Sequence, residues 1–109
     1  MPYFVYIIFS KKINRFYIGE TVDVEERLRQ HNTAFFKGAS TTKADDWELK
    51  IQISLTNRQE ARKVERFIKD MKSRKMIERL IHDVAYQYYF KDAILQKKGI
   101  EILAIQAMD

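Results

Sequence analysis

Cysteine is absent from the sequence, proline occurs once and glycine three times. Without cysteine the fold has neither disulfides nor thiolate metal sites, thiol nucleophiles are excluded, and a reducing compartment such as the cytoplasm fits. The scarcity of glycine and proline, set against a hydrophobic fraction of 46%, argues against disorder, collagen-like structure or a linker protein. Long apolar runs are missing as well. The run Tyr3 to Phe9 is too short to span a membrane and has neither the basic leader nor the small-residue cleavage site of a signal peptide. A soluble cytoplasmic protein without a membrane partner is expected, and 109 residues suit one domain with a modest core rather than two.

What is present leans basic. A formal charge of +5 favours a polyanionic partner, because cations that neutralise phosphates release condensed counterions. Many basic proteins bind no nucleic acid, so charge alone decides nothing.

Along the chain, Tyr3 to Phe9 is apolar on both alternating faces and rich in β-branched and aromatic residues, which predicts a central strand covered on both sides. After a polar turn with Lys11, Lys12 and Asn14, Arg15 to Gly19 alternates again and completes a hairpin, with Tyr17 opposite to Phe16 and Ile18. Asp23 followed by Glu26 has capping-box spacing and predicts a helix to about His31 and Asn32, with Val24, Arg27, Leu28 and His31 on one stripe. Thr33 to Asp46, decorated by Lys37 and Lys43, reads as a loop. Trp47, Leu49, Ile51, Ile53 and Leu55 alternate strictly with polar residues and predict a one-sided strand at a sheet edge.

Asn57 and Glu60 then cap a second helix whose buried stripe is Ala61, Val64, Ile68 and Met71, with Glu65 on the same stripe. Further helical patterns follow after Ser73 (Met76, Ile77, Leu80, Ile81) and at Tyr86, Tyr89, Phe90, Ala93 and Ile94, the last ended by Gly99. The tail from Ile100 fits a short strand, a helical turn or a packed arm equally.

This order of strand, hairpin, helix, strand and helix carries Val5-Tyr6-Ile7, then Phe16-Tyr17-Ile18-Gly19 eleven positions on. Glu26-Arg27-Leu28 follows, with His31-Asn32 closing the first helix, and Val64-Glu65-Arg66 lies on the second. It resembles the GIY-YIG nuclease superfamily, in particular short stand-alone domains related to the catalytic domain of the excision-repair nuclease subunit. The resemblance covers roughly residues 3 to 75. It implies an α+β fold with a small three-stranded, mostly antiparallel sheet flanked by helices, here with a helical C-terminal extension over about 76–109. Two departures stand out. Val5 replaces the first glycine of the motif name, and the terminal asparagine of some branches has no counterpart.

The resemblance further implies a divalent-metal-dependent endonuclease that hydrolyses DNA phosphodiester bonds, with Tyr6, Tyr17, Arg27, His31 and Glu65 as catalytic residues. Glu65 would be the sole protein ligand of Mg²⁺ or Mn²⁺, Arg27 would stabilise charge on the scissile phosphate, and a tyrosine would take the proton of the attacking water. Tyr6 is the first choice for that base, with Tyr17 the alternative. His31 would position water or phosphate.

Each of these residues also has a plainer reading. Strand tyrosines commonly pack with the hydroxyl at a polar rim, Arg27 could pair with Asp23 or Glu26 on the surface, and His31 could simply end its helix. A carboxylate on an apolar stripe costs several kcal/mol unless exposed or partnered, so Glu65 either faces a cleft and a metal or forms a boundary salt bridge with Arg62, Lys69 or Lys72. Lys11, Lys12, Arg15, Lys43, Arg62, Arg66 and Lys69 are candidate contacts to DNA, and Arg58, Arg62, Arg66 and Lys69 form a basic helical stripe that either tracks a phosphate backbone or is merely solvated. The cluster Tyr86, Tyr88, Tyr89 and Phe90 fits core packing, a homodimer or partner contact, or stacking on unpaired bases. Three functions therefore compete: a nuclease acting on DNA, with branched or damaged structures among its candidate substrates; a nucleic-acid-binding module without catalysis; and a subunit that needs a protein partner at its C-terminal extension.

Overall fold

The computed structural model describes residues 1–33 and 44–108; Lys37 and Lys43 lie outside them. Strand β1 (Tyr3–Ser10) pairs antiparallel with β2 (Arg15–Thr21) through the expected hairpin. On its other side β1 pairs antiparallel with β3 (Glu48–Leu55), and β3 pairs with β4 (Ala104–Ala107). The sheet thus has four strands in the order β2-β1-β3-β4, not three. The C-terminal strand is not evident in the sequence because it is short and only half-buried, and so shows no clean period. With β4 in place, β3 is an interior strand rather than an edge, and Gln52 and Gln106 hydrogen-bond side chain to side chain across the added pair at 2.8 Å.

β1 is covered on both faces, as its unbroken apolar run requires. Val5 and Ile7 enter one cluster and Tyr6 and Ile8 the other. The strict alternation of β3 does not keep all its apolar residues on one face. Ile7 pairs with Ile51 but Ile8 pairs with Leu49, so Lys50 is an extra residue. Such a bulge reverses the side-chain phase. Ile51, Ile53 and Leu55 join the first cluster, whereas Trp47 and Leu49 join the second. Because every alternate position is apolar, the sequence pattern could not reveal the switch.

The helices follow from their caps. In α1 (Val24–Asn32) the Asp23 side chain accepts from the Glu26 N–H, and in α2 (Arg58–Asp70) Asn57 accepts from the Glu60 N–H. Ser73 caps α3 (Arg74–His82) in the same way, and Asp83 caps α4 (Val84–Lys98), which ends at Gly99 in the left-handed conformation. Ala61, Val64 and Ile68 of α2, Leu80 and Ile81 of α3, and Tyr86, Phe90 and Ile94 of α4 cover the Val5 face of the sheet, together with Ile100 and Ile102. Tyr88 and Tyr89, by contrast, are exposed, so the aromatic cluster of α4 divides between core and surface. The other sheet face is covered by Val24, Ala44 and Trp47, with Leu28 of α1 packed against them. No helix among the described residues is long and apolar enough to cross a membrane.

Candidate active site

The pleat of β1 turns Tyr6 away from the main core, onto the face that α1 covers. Tyr6 is register partner of Gly19 on β2. A Cβ placed on Gly19 would lie 2.5 Å from the Tyr6 hydroxyl, so the phenol lies across its neighbour strand in space that only glycine leaves open. Gly19 has no positive φ; it is required for room, not for backbone freedom. The sequence motif contains this glycine without revealing its role, although a glycine inside a strand is a sign of such close approach.

The Tyr6 hydroxyl is 2.8 Å from Nε2 of His31, a buried hydrogen bond. Tyr17, on the same face of β2, packs its ring 4.9 Å from the His31 ring and 6.4 Å from that of Tyr6, centroid to centroid. Burial pushes the Tyr6 phenol above its ordinary range, reinforced by Tyr17 and Glu65 and opposed by the Arg27 guanidinium beside it. Burial, then the same guanidinium, lowers His31 to about 4. At neutral pH the pair is therefore an uncharged phenol bound to an uncharged imidazole. The stripe position of Arg27 on α1 brings its charge to both.

Glu65 comes from the opposite layer, on α2, and its charge still reaches Tyr6. Its side chain is 18% exposed and bonded to Lys69 Nζ at 2.7 Å, one helical turn on. The boundary ion pair expected on the plainer reading is thus present, and its partner is Lys69. Among the described residues no group of three or more acids, histidines or cysteines could cage a metal. A lone carboxylate suits instead a hard cation that keeps its water and takes further ligands from phosphate.

Asn32, which in the sequence merely ends α1, has a structural task. Its side-chain amide donates to the Trp47 carbonyl at 3.0 Å and its oxygen accepts from the Trp47 N–H at 2.7 Å. This two-bond clamp ties the end of α1, and so the adjacent His31, to the entrance of β3.

Tyr6, Tyr17, Arg27 and His31 thus meet in one place, and the charge of Glu65 is felt there at Tyr6. The profile of the GIY-YIG catalytic domain matches residues 2–78. The chain belongs to the GIY-YIG family of nuclease domains. Val5, which stands at the first glycine of the motif, is fully buried in the main core, so the replacement packs rather than disturbs the GIY-YIG site. A comparison with curated proteins gave no match.

The candidate DNA contacts lie on several elements. Lys12 is held by Asp45 at 2.5 Å, with its backbone N–H on Asp46. Lys11 is exposed in the hairpin turn. Arg62 and Arg66 are exposed on α2, where Arg58 of the same stripe pairs with Glu20 at 3.4 Å. Arg15 and Lys69 line one groove.

Proposed function

We propose that the protein is a divalent-metal-dependent endonuclease that hydrolyses DNA phosphodiester bonds. The observation that carries this reading is the meeting of two phenols, an imidazole and a guanidinium on one sheet face, with the Glu65 carboxylate within electrostatic reach. In this reading Glu65 holds Mg²⁺ or Mn²⁺, which supplies Lewis-acid activation of the phosphate and of water. Arg27 neutralises charge that builds on the scissile phosphate.

The two tyrosines divide their work by burial. A general base must touch the water it deprotonates, and Tyr6 is 1% exposed with its phenol pushed up by burial. Tyr17, half-buried on the same face, faces the substrate. We therefore assign the water to Tyr17, reversing the preference for Tyr6 that the sequence alone suggests. Tyr6 instead keeps His31 in place through their shared hydrogen bond. His31, uncharged down to about pH 4, orients Tyr17 by ring contact.

Incubation of the protein with duplex, nicked and branched DNA in Mg²⁺ or Mn²⁺ tests the assignment. Wild type should cleave, and Glu65→Ala and Arg27→Ala should each lower the rate by about 10²- to 10³-fold with unchanged melting temperature, the range seen for loss of a group that stabilises charge in the transition state. Cleavage that survives both substitutions rejects the site. Binding without any cleavage by wild type favours the non-catalytic module.

A second reading rests on the C-terminal extension. Val84, Tyr88, Leu95 and Leu103 are each 46% exposed or more, and apolar surface of this kind suits a partner protein or a second copy. Since α4 and β4 share the core and sheet of the catalytic segment, we read residues 1–109 as a single domain that presents this surface on its flank.

A further inference from the structure

A groove of about 390 Å³ lies where the start of β2, the end of α2 and the start of α3 meet. Its rim carries Arg15, Lys69, Lys72 and Arg74, and no acidic residue lines it. The four cations are not equivalent. Arg74 is committed: its guanidinium bonds the Asn14 carbonyl at 3.0 Å and side-chain oxygen at 2.8 Å, and lies over the rings of Phe9 and Phe16. It braces the hairpin. Lys69 is committed to Glu65. Arg15 and Lys72 are both exposed and, among the described residues, neither forms an ion pair.

Lys72 also holds a left-handed backbone, φ 49°, at the junction where helices ordinarily use glycine. A lysine kept in that conformation, at some cost in strain, presents its ammonium at the groove. Two uncommitted cations above a floor that includes Phe16, Ile18 and Ile77 match a nucleic-acid strand, in which phosphates alternate with the apolar faces of deoxyribose.

The groove connects to Glu65 through one side chain. Lys69 lines the groove and, in the same structure, neutralises Glu65 at 2.7 Å. A partly buried carboxylate needs a cation, and Lys69 serves as one. With a divalent ion held by Glu65 that service would be redundant and the Lys69 ammonium would be repelled, and its flexible stem already borders the groove.

Resting on the nuclease reading above, we propose that this groove binds the phosphodiester backbone of DNA flanking the cut, through Arg15 and Lys72, and that Lys69 joins them once metal takes its place on Glu65. Metal and DNA binding are then coupled, each strengthening the other by the same factor.

Fluorescence anisotropy with a labelled DNA duplex, over a salt series, in EDTA and in Ca²⁺, tests this without relying on turnover. Arg15→Ala/Lys72→Ala should weaken binding about 10-fold in both conditions and reduce the slope of log Kd against log salt by about 2, one for each phosphate deprived of its cation. Lys69→Ala should weaken binding in Ca²⁺ while leaving it unchanged or tighter in EDTA. By calorimetry the same variant, without the competing ammonium, should bind Ca²⁺ more tightly in the absence of DNA. Lys98→Ala serves as the charge control, and melting curves confirm folding.

A double variant that binds with the wild-type salt slope overturns the groove, and a Lys69→Ala loss of equal size in EDTA and Ca²⁺ overturns the exchange. If wild type cleaves DNA in Mg²⁺ while either result is obtained, the nuclease reading stands and this inference falls. If wild type neither binds nor cleaves DNA, both fall.

Discussion

The two faces of the sheet are built from the same four strands yet follow different rules. On the face covered by α2, α3 and α4, Val5, Ile7, Ile51, Ile53, Leu55, Val64 and Ile68 are fully buried in one apolar cluster. On the face covered by α1, the buried set is smaller and includes a phenol and, beside it, an imidazole. The first face stabilises the molecule; the second holds polar groups dry enough to shift their proton affinities by burial. A strand covered on both sides thus serves packing and chemistry in alternation, residue by residue. Glu65 joins the two, since its helix packs on the first face while its charge acts on the second.

The largest effect of a substitution is expected on the packing face. Ile68 is fully buried in α2, and Ile68→Ala should cost about 4 kcal/mol of unfolding free energy, as expected for an aliphatic deletion in a core that cannot collapse. Tyr17→Phe on the other face keeps the ring that packs against His31 and should leave stability within about 0.5 kcal/mol, while removing cleavage. Denaturant melts of both variants decide the matter. Equal destabilisation would erase the division of labour.

A smaller effect follows from pH. His31 falls from 6.5 to about 4 on folding, so the folded state resists protonation that the unfolded chain accepts. The stability this neutral imidazole contributes is complete above pH 6.5 and is lost as pH drops from 6.5 towards 4, by about 3 kcal/mol at the limit. Glu26, Asp45 and Asp46 are held below their ordinary carboxylate range by Arg29, Lys12 and Ser10 respectively, and their contributions fade at lower pH. Urea unfolding of wild type and His31→Gln at pH 7 and pH 5 separates these effects. If both lose stability equally over that interval, the imidazole is not buried as a neutral group.

Much of this arrangement is legible in the sequence, and what is not has definite causes. The caps Asp23 and Asn57, the stop at Gly99 and the opposed faces of Tyr17 and Ile18 all follow from local chemistry, which sequence displays directly. The bulge at Lys50 is hidden because apolar residues flank it on either phase. β4 is hidden because four residues at an edge need bury little. The meeting of Tyr6, Tyr17, Arg27 and His31 can be inferred from motif spacing and stripe positions, but the Asn32 clamp cannot, since its partner is the backbone of Trp47, 15 residues away. Pairings with main chain leave no residue type to recognise.

The smallest effect probes the point where the chemical face depends on an absent atom. Gly19→Ala places a methyl group 2.5 Å from the Tyr6 hydroxyl. The clashing atom is the end of a side chain, but that end is fastened to His31 at 2.8 Å, so the ring cannot move without breaking the bond. Overpacking of this kind costs about 2 kcal/mol. In a Tyr6→Val background the obstacle is gone, and the same change should instead stabilise by about 0.5 kcal/mol, because alanine loses less backbone entropy than glycine in a strand. The sign of the Gly19→Ala effect should therefore reverse between the two backgrounds, as read by a double-mutant cycle. A cost that is equal in both would mean that Gly19 answers to the strand and not to the phenol, and the tyrosine would then be free to leave His31.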